Sequence, residues 1–167
     1  MNRVIVKSVH GAFGYVMEHY YPFGMAEEAA EQDALTDTYA VISIQDSHTG
    51  GFGVQFTENQ FCKGVLTLLF DDMADHIIDF IEKHRKAADT LLVHCYAGQS
   101  RSRAVGAFAV EMLGGDNSKY FEEGAPNQYI YDVLESAWVR RQFGYAVGGI
   151  VDGQFPQPLY NINGHLF

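Results

Sequence analysis

Short apolar runs rich in β-branched and aromatic residues recur along the chain, and they predict four β-strands. We place these strands at Arg3–Val9, Tyr39–Ile44, Val65–Phe70 and Thr90–Cys95. The last run is apolar almost to its end, a pattern typical of a strand that is covered on both faces. We therefore expect helices on both sides of this strand.

Segments with helical periodicity lie between and after these runs. The segment from Met73 to Lys86 places apolar side chains on one face and charged side chains on the other. The segment from Ser102 to Leu113 is apolar or small nearly all round, which predicts a buried helix. Glu27–Gln32 is a candidate short helix. Asn127 is a suitable cap for a further helix, one face of which presents Ile130, Val133, Leu134, Ala137, Trp138 and Arg141.

The alternation of strands and helices predicts an α/β fold with a mainly parallel central sheet. We expect about four or five strands, with helices on both faces. The chain has 167 residues, a length typical of one domain, so a single domain is expected over 1–167. Residues from Gly144 onward are rich in glycine, proline and aromatic residues. They show no clear periodicity, and an irregular tail packed on the body is expected there.

Composition and charge narrow the possible partners. Hydrophobic residues make up 47% of the chain, which is too high a share for a disordered protein. No run approaches the roughly 20 apolar residues of a membrane span, and the first residues lack the pattern of a secretory signal. The formal net charge is −10, whereas nucleic acids and anionic lipids favour basic surfaces. We therefore expect a cytoplasmic domain that binds neither nucleic acid nor membrane.

The stretch from Leu92 to Ser102 carries the candidate chemistry. A buried strand ends at Cys95, a short loop containing Gly98 follows, and then a helix begins. The N–H groups of such a loop converge on one point, which favours an anion because the helix dipole adds its positive end. A thiolate held there has a pKa far below the ordinary value of about 8.5. Arg101 offers a planar fork that matches two phosphate oxygens, so the thiolate becomes a nucleophile for phosphoryl transfer.

This stretch resembles the Cys-x5-Arg signature of the protein tyrosine phosphatase superfamily. The fuller form, His-Cys-x-x-Gly-x-x-Arg-Ser/Thr, is matched by His94, Cys95, Gly98, Arg101 and Ser102. Further matches at Ala97 and Ser100 make the stretch most similar to the dual-specificity branch. The surrounding sequence is similar to compact bacterial or phage members of the superfamily.

The resemblance implies a role for each matched residue. Cys95 would be the nucleophile that forms a phosphocysteine, and Arg101 would bind the phosphoryl oxygens. Ser102 would donate its hydroxyl to the thiolate, and His94 would support the loop structurally. Phosphate would be cradled by backbone amides of Tyr96, Ala97, Gly98, Gln99, Ser100 and Arg101. Such an enzyme requires no metal and no cofactor.

The proposed chemistry also needs a carboxylic acid that protonates the leaving oxygen. Superfamily members carry it on the loop after the strand that precedes the catalytic strand. Asp71 and Asp72 are the candidates in that place, 24 and 23 positions before Cys95. We favour Asp72 because it lies one residue further into the loop, and Asp71 is the alternative. An aspartate here also suits the cap of the following helix.

The sequence thus predicts hydrolysis of phosphate monoesters through a phosphocysteine. The expected substrate is a protein phosphotyrosine, extending to phosphoserine and phosphothreonine, or a small phosphomonoester. One alternative is a phosphatase of RNA 5′-triphosphates or phosphoinositides, which the uncharged loop residues Tyr96 and Gln99 disfavour. The other is a phosphate-binding module without turnover.

Cys62 is the second of the two cysteines and belongs to no motif. The expected role is that of a buried structural thiol. The alternative is a redox partner that protects Cys95 through a reversible disulfide.

Overall fold

The computed structural model describes residues 1–20, 37–46, 55–69 and 73–146. Within these ranges the chain forms four strands: β1 (Arg3–Ser8), β2 (Tyr39–Gln45), β3 (Cys62–Leu69) and β4 (Thr90–Cys95). The strands pair in parallel in the order β1-β4-β2-β3. This arrangement confirms the predicted parallel sheet.

Five helices occur in the same ranges: α1 (Val9–Tyr20), α2 (Ala74–His84), α3 (Arg101–Met112), α4 (Ser118–Glu122) and α5 (Gln128–Ala146). Helix α1 packs on one face of the sheet, where Ala12 and Val16 meet Val41 and Leu92. Helices α2, α3 and α5 contribute to the larger core on the other face. The predicted coverage of both faces is therefore confirmed.

Strands β2 and β4 are buried at every position, which explains why their sequences are nearly continuous in apolar residues. Successive side chains of a strand point to opposite faces. Leu92 accordingly faces α1, whereas Leu91, Val93 and Cys95 belong to the core on the opposite face. Cys95 thus stands at the carboxyl end of β4 on the side of α3.

Helix α1 is absent from the sequence predictions, which extend the first strand to Val9. Gly11, Gly14 and several β-branched and aromatic residues give this segment a low intrinsic helix propensity. Packing against the sheet stabilises the helix instead. The sequence feature that could have predicted α1 is the helical spacing of its buried residues, which are Val9, Ala12, Val16 and Tyr20.

Several predicted boundaries shift in the structure. The third strand begins at Cys62 and ends at Leu69, and α5 continues to Ala146, so the irregular tail does not begin at Gly144. Asn127 caps α5 as predicted, because its Oδ1 accepts a hydrogen bond from the Ile130 N–H at 3.0 Å. The candidate helix at 27–32, residue 70 and residues 147–167 lie outside the described residues. Among the described helices, none combines the length and apolar composition that a bilayer crossing requires.

Polar side chains form contacts between the strands at the end of the sheet that lies away from Cys95. Arg3 of β1 forms an ion pair with Asp37, the residue two positions before β2. Arg3 also donates a hydrogen bond to Thr90 Oγ1 at the start of β4, at 2.9 Å. These contacts join the amino ends of the strands, whereas the carboxyl ends carry the candidate chemistry.

Candidate active site

Residues 96–100 connect β4 to α3 and curve around the sulfur of Cys95. The backbone N–H of Gly98 donates a hydrogen bond to Cys95 Sγ at 3.3 Å. Ser102 Oγ lies 3.1 Å from the same sulfur. Cys95 is 2% exposed and Ser102 is fully buried. The fold therefore brings these three motif residues together around one buried sulfur.

Gly98 is required by the path of this loop. Its φ of +73° is a backbone conformation that residues with a Cβ rarely adopt. A Cβ at this position would lie 2.5 Å from the backbone nitrogen of Ser8. The neighbouring Val9 N–H donates to the Tyr96 carbonyl at 3.2 Å. The loop is thus seated on the carboxyl end of β1 and the start of α1.

The surroundings of Cys95 lower the pKa of its thiol. Burial opposes ionisation and raises the pKa, but the hydrogen bonds from Ser102 and Gly98 and the charge of Arg101 outweigh it. The net direction is below the ordinary value. A larger thiolate fraction makes the sulfur a better nucleophile.

Arg101 begins α3 and reaches toward the end of β2. Its Nη1 donates a hydrogen bond to Asp46 Oδ1 at 2.6 Å, within an ion pair. Asp46 is not among the residues that the motif predicts. It directly follows β2, the neighbour of β4 in the sheet. Because the carboxyl ends of parallel strands meet at one edge, that position is the sequence signal that could have found it.

His94 is fully buried beside the loop. Its ring centroid lies 5.3 Å from that of Phe56. Burial lowers its pKa to about 4, against a smaller opposing effect of the backbone at Cys95. The imidazole is therefore neutral near pH 7, which agrees with a supporting role rather than with proton transfer.

The remaining loop side chains face outward and carry no formal charge. They are the exposed residues Tyr96, Ala97, Gln99 and Ser100. The Ser100 carbonyl accepts a hydrogen bond from the Asn127 N–H at 3.2 Å. The start of α5 thus supports the end of the loop.

Asp71 and Asp72, the two predicted candidates for the general acid, lie outside the described residues. The adjoining helix is described from its cap onward. Met73 occupies the cap position of α2 and makes no side-chain capping hydrogen bond. The capping role considered for Asp71 or Asp72 therefore falls outside the described residues as well.

The polar groups around the sulfur are donors. The Gly98 N–H, the Ser102 hydroxyl and the Arg101 guanidinium suit an anion rather than a cation. In the part of the chain that the structure describes, no cluster of three or more His, Cys, Asp or Glu side chains could hold a metal ion.

Cys62 lies at the opposite end of the sheet from Cys95. Tyr39 pairs with both Cys62 and Thr90, so Cys62 stands level with the first residue of β4. Five residues of strand separate that level from Cys95, roughly 16 Å along the sheet, and β2 lies between the two strands. A disulfide needs Cα atoms within about 7 Å. The alternative that Cys62 protects Cys95 through a disulfide is therefore wrong. Burial raises the pKa of the Cys62 thiol, as expected for an inert structural cysteine.

Solved structures match the chain at low sequence identity. The crystal structure of PTPMT1 in complex with PI(5)P matches with a TM-score of 0.51 and 14% identity, covering 87% of this chain and 95% of that chain. Human DUSP28 matches with a TM-score of 0.46 and 17% identity over 84% of this chain and 94% of its own. DUSP15 matches with a TM-score of 0.46 and 18% identity over 85% and 90%. No family model and no curated protein matches the chain. The chain has the fold of the dual-specificity phosphatases in the protein tyrosine phosphatase superfamily.

Proposed function

We propose that this protein hydrolyses phosphate monoesters through a phosphocysteine intermediate. Its principal substrate is protein phosphotyrosine, and phosphoserine and phosphothreonine are further substrates. The observation that carries the proposal is the buried sulfur of Cys95, which is hydrogen-bonded by Gly98 and flanked by the Ser102 hydroxyl. Arg101 stands at the start of the following helix. A thiolate surrounded by donors, with an arginine beside it, suits attack on a bound phosphoryl group.

In the first half-reaction, the Cys95 thiolate attacks phosphorus and the bond from phosphorus to the ester oxygen breaks. The backbone N–H groups of the loop and the Arg101 guanidinium bind the other three phosphoryl oxygens, on which charge is spread in the transition state. Asp72, or Asp71 as the alternative, donates a proton to the leaving oxygen. The products are the dephosphorylated alcohol and a phosphocysteine.

In the second half-reaction, water attacks the phosphocysteine and the bond between sulfur and phosphorus breaks. The carboxylate left by the first step accepts the proton of this water. The Ser102 hydroxyl, 3.1 Å from Sγ, donates a hydrogen bond to the departing thiolate and stabilises its charge. Orthophosphate is released and the thiolate is restored.

Burial and charge support phosphotyrosine over polyanionic substrates. Cys95 is only 2% exposed, and a phosphoryl group on a long aromatic side chain reaches a buried sulfur better than one on a short side chain. The outward-facing loop side chains are uncharged, and the chain carries −10. Clustered cations attract phosphoinositides and RNA 5′-triphosphates electrostatically. PTPMT1 was solved with PI(5)P, so a phosphoinositide is the competitor to include in the assay.

The variant Cys95→Ser tests the mechanism. We expect it to lose turnover of a phosphotyrosine peptide and of an aryl phosphate, because a serine hydroxyl is not ionised by the same donors. It should still bind orthophosphate or vanadate, measured by calorimetry. Cys62→Ser is the matched control and should keep its activity, since Cys62 lies at the other end of the sheet. Turnover by Cys95→Ser near the wild-type rate would refute the phosphocysteine.

The wild-type protein separates the remaining alternatives. Phosphate release from a phosphotyrosine peptide should exceed release from PI(5)P and from an RNA 5′-triphosphate at equal concentrations. A reversed order would reassign the substrate class. Binding of vanadate without turnover of any substrate would identify a phosphate-binding module instead.

A further inference from the structure

We propose that Asp46 is a positioning residue that orients the Arg101 guanidinium for the phosphoryl group, an inference that rests on the proposed function. Asp46 Oδ1 accepts a hydrogen bond from Arg101 Nη1 at 2.6 Å. The two side chains are 34% and 21% exposed, so the pair is shielded from water on most sides. A short charge-assisted hydrogen bond of this kind fixes direction as well as distance.

Both ends of this ion pair are held by the central sheet. Arg101 is the first residue of α3 and follows the loop from β4, whereas Asp46 directly follows β2. The two strands are hydrogen-bonded neighbours, with Ser43 level with His94. Asp46 therefore reaches Arg101 from the end of the strand next to β4, and the ion pair orients the arginine before any substrate arrives.

The atoms of the contact determine which edge of the guanidinium faces away from Asp46. Asp46 accepts from Nη1, and in a planar guanidinium the edge formed by Nε and Nη2 lies on the other side. That edge presents two parallel N–H groups, the geometry that matches two phosphoryl oxygens. Asp46 thus selects a rotation in which this edge is directed away from its carboxylate.

This contact differs from the role of a general acid. Asp46 accepts a hydrogen bond from a guanidinium that is always charged, whereas a general acid donates a proton to the leaving oxygen. Loss of Asp46 should therefore slow good and poor leaving groups equally. It should also lower kcat more than it raises KM, because alignment is needed most in the transition state.

The experiment compares Asp46→Asn in two backgrounds. In the wild type we expect kcat to fall by on the order of 10- to 100-fold, as small misalignments of catalytic groups do. In Arg101→Lys, which lacks the planar fork, the added substitution should change kcat by less than about threefold. Vanadate affinity, measured by calorimetry, should show the same non-additivity and needs no turnover. Asp46→Glu, which keeps the charge, should recover part of the loss.

Asp37→Asn is the matched control, since Asp37 pairs with Arg3 at the far end of the same sheet. It should leave kcat unchanged. Equal losses from Asp46→Asn in both backgrounds, or wild-type kcat in Asp46→Asn, would overturn the positioning role. So would a selective loss with poor leaving groups, which would make Asp46 the acid. Failure of the proposed function appears separately, as turnover that survives Cys95→Ser.

Discussion

At the scale of single residues, the two cysteines show what makes a thiol reactive. Both are buried, and burial alone raises the pKa of each. The Cys62 sulfur donates toward the Gly64 carbonyl at 3.5 Å, and its pKa stays raised. Around Cys95 the donors Ser102, Gly98 and Arg101 reverse the direction. The direction of the pKa shift of each buried thiol is therefore set by the groups around its sulfur.

The general acid is tested at the same scale by Asp72→Asn and Asp71→Asn. We expect Asp72→Asn to slow phenyl phosphate hydrolysis strongly and to spare a nitrophenyl ester, because an activated phenoxide leaves without a proton. General acid catalysis is typically worth about 10²- to 10⁴-fold, which sets the scale of the difference. The ratio of the two rates is the measurement. A steep dependence on the leaving group in Asp71→Asn alone would reverse the assignment.

The motif residues were predictable because they all lie within one short continuous stretch of the sequence. Cys95, Gly98 and Ser102 meet in the structure at hydrogen-bond distance, as that stretch indicates. Asp46 was not predictable in this way. Its contact with Arg101 depends on the order of the strands in the sheet, and no local pattern encodes that order.

At the scale of elements, a glycine sets how closely α2 lies to the sheet. A Cβ on Gly64 of β3 would lie 2.4 Å from the ring of His84 in α2. That ring is buried and lies 4.5 Å from the ring of Phe80, measured between centroids. The imidazole is held on both sides and cannot move aside without disturbing its neighbours.

We therefore expect Gly64→Ala to lower the free energy of unfolding by about 1–3 kcal/mol, as overpacking does. Gly14→Ala makes the same chemical change inside α1, where a Cβ would meet nothing within 4 Å. It should raise the free energy of unfolding by up to about 1 kcal/mol, the difference in helix propensity. Urea unfolding measures both. A loss of stability in Gly14→Ala would contradict the helical assignment of this segment.

The elements with a periodic apolar pattern were predictable. The two helices that were not predicted lack such a pattern. Strands β2 and β4 and helices α2, α3 and α5 carry strong local patterns of apolar residues. Helices α1 and α4 do not, since α1 contains two glycines and α4 has only five residues. Such elements are stabilised by contacts with the finished sheet, which a local pattern does not contain.

At the scale of the whole molecule, two buried histidines make stability depend on pH. Burial lowers the pKa of His94 to about 4 and lowers that of His84, with Lys83 adding to the effect. In the unfolded chain both would titrate near pH 6.5. As the pH falls below about 6.5, the unfolded state binds more protons than the folded state. The free energy of unfolding therefore keeps the full contribution of these histidines above that pH and loses it progressively below that pH.

We expect the free energy of unfolding to fall by up to about 3 kcal/mol from His94 alone between roughly pH 6.5 and pH 4. Urea midpoints across this range provide the measurement. The carboxyls with lowered pKa values, such as Asp79 and Asp89, contribute their losses at lower pH. His84→Gln should flatten the slope and the exposed His10→Gln should not. A stability that is level down to pH 5 would contradict the prediction.

The position of β4 determines when the site around Cys95 can form during synthesis. It is the last strand of the described sheet to leave the ribosome, yet it lies between β1 and β2. Arg3 and Thr90, which pair at the start of β1 and β4, are 87 positions apart. A nascent chain that ends before Thr90 therefore leaves β1 without its neighbour, and the sheet closes only when the distant strand enters. The groups that lower the pKa of Cys95 belong to Gly98, Arg101 and Ser102, so they follow β4 in the chain and are in place only after it has joined the sheet. The low pKa of Cys95 therefore depends on the completion of the fold, and an unfinished chain lacks the surroundings that favour a thiolate.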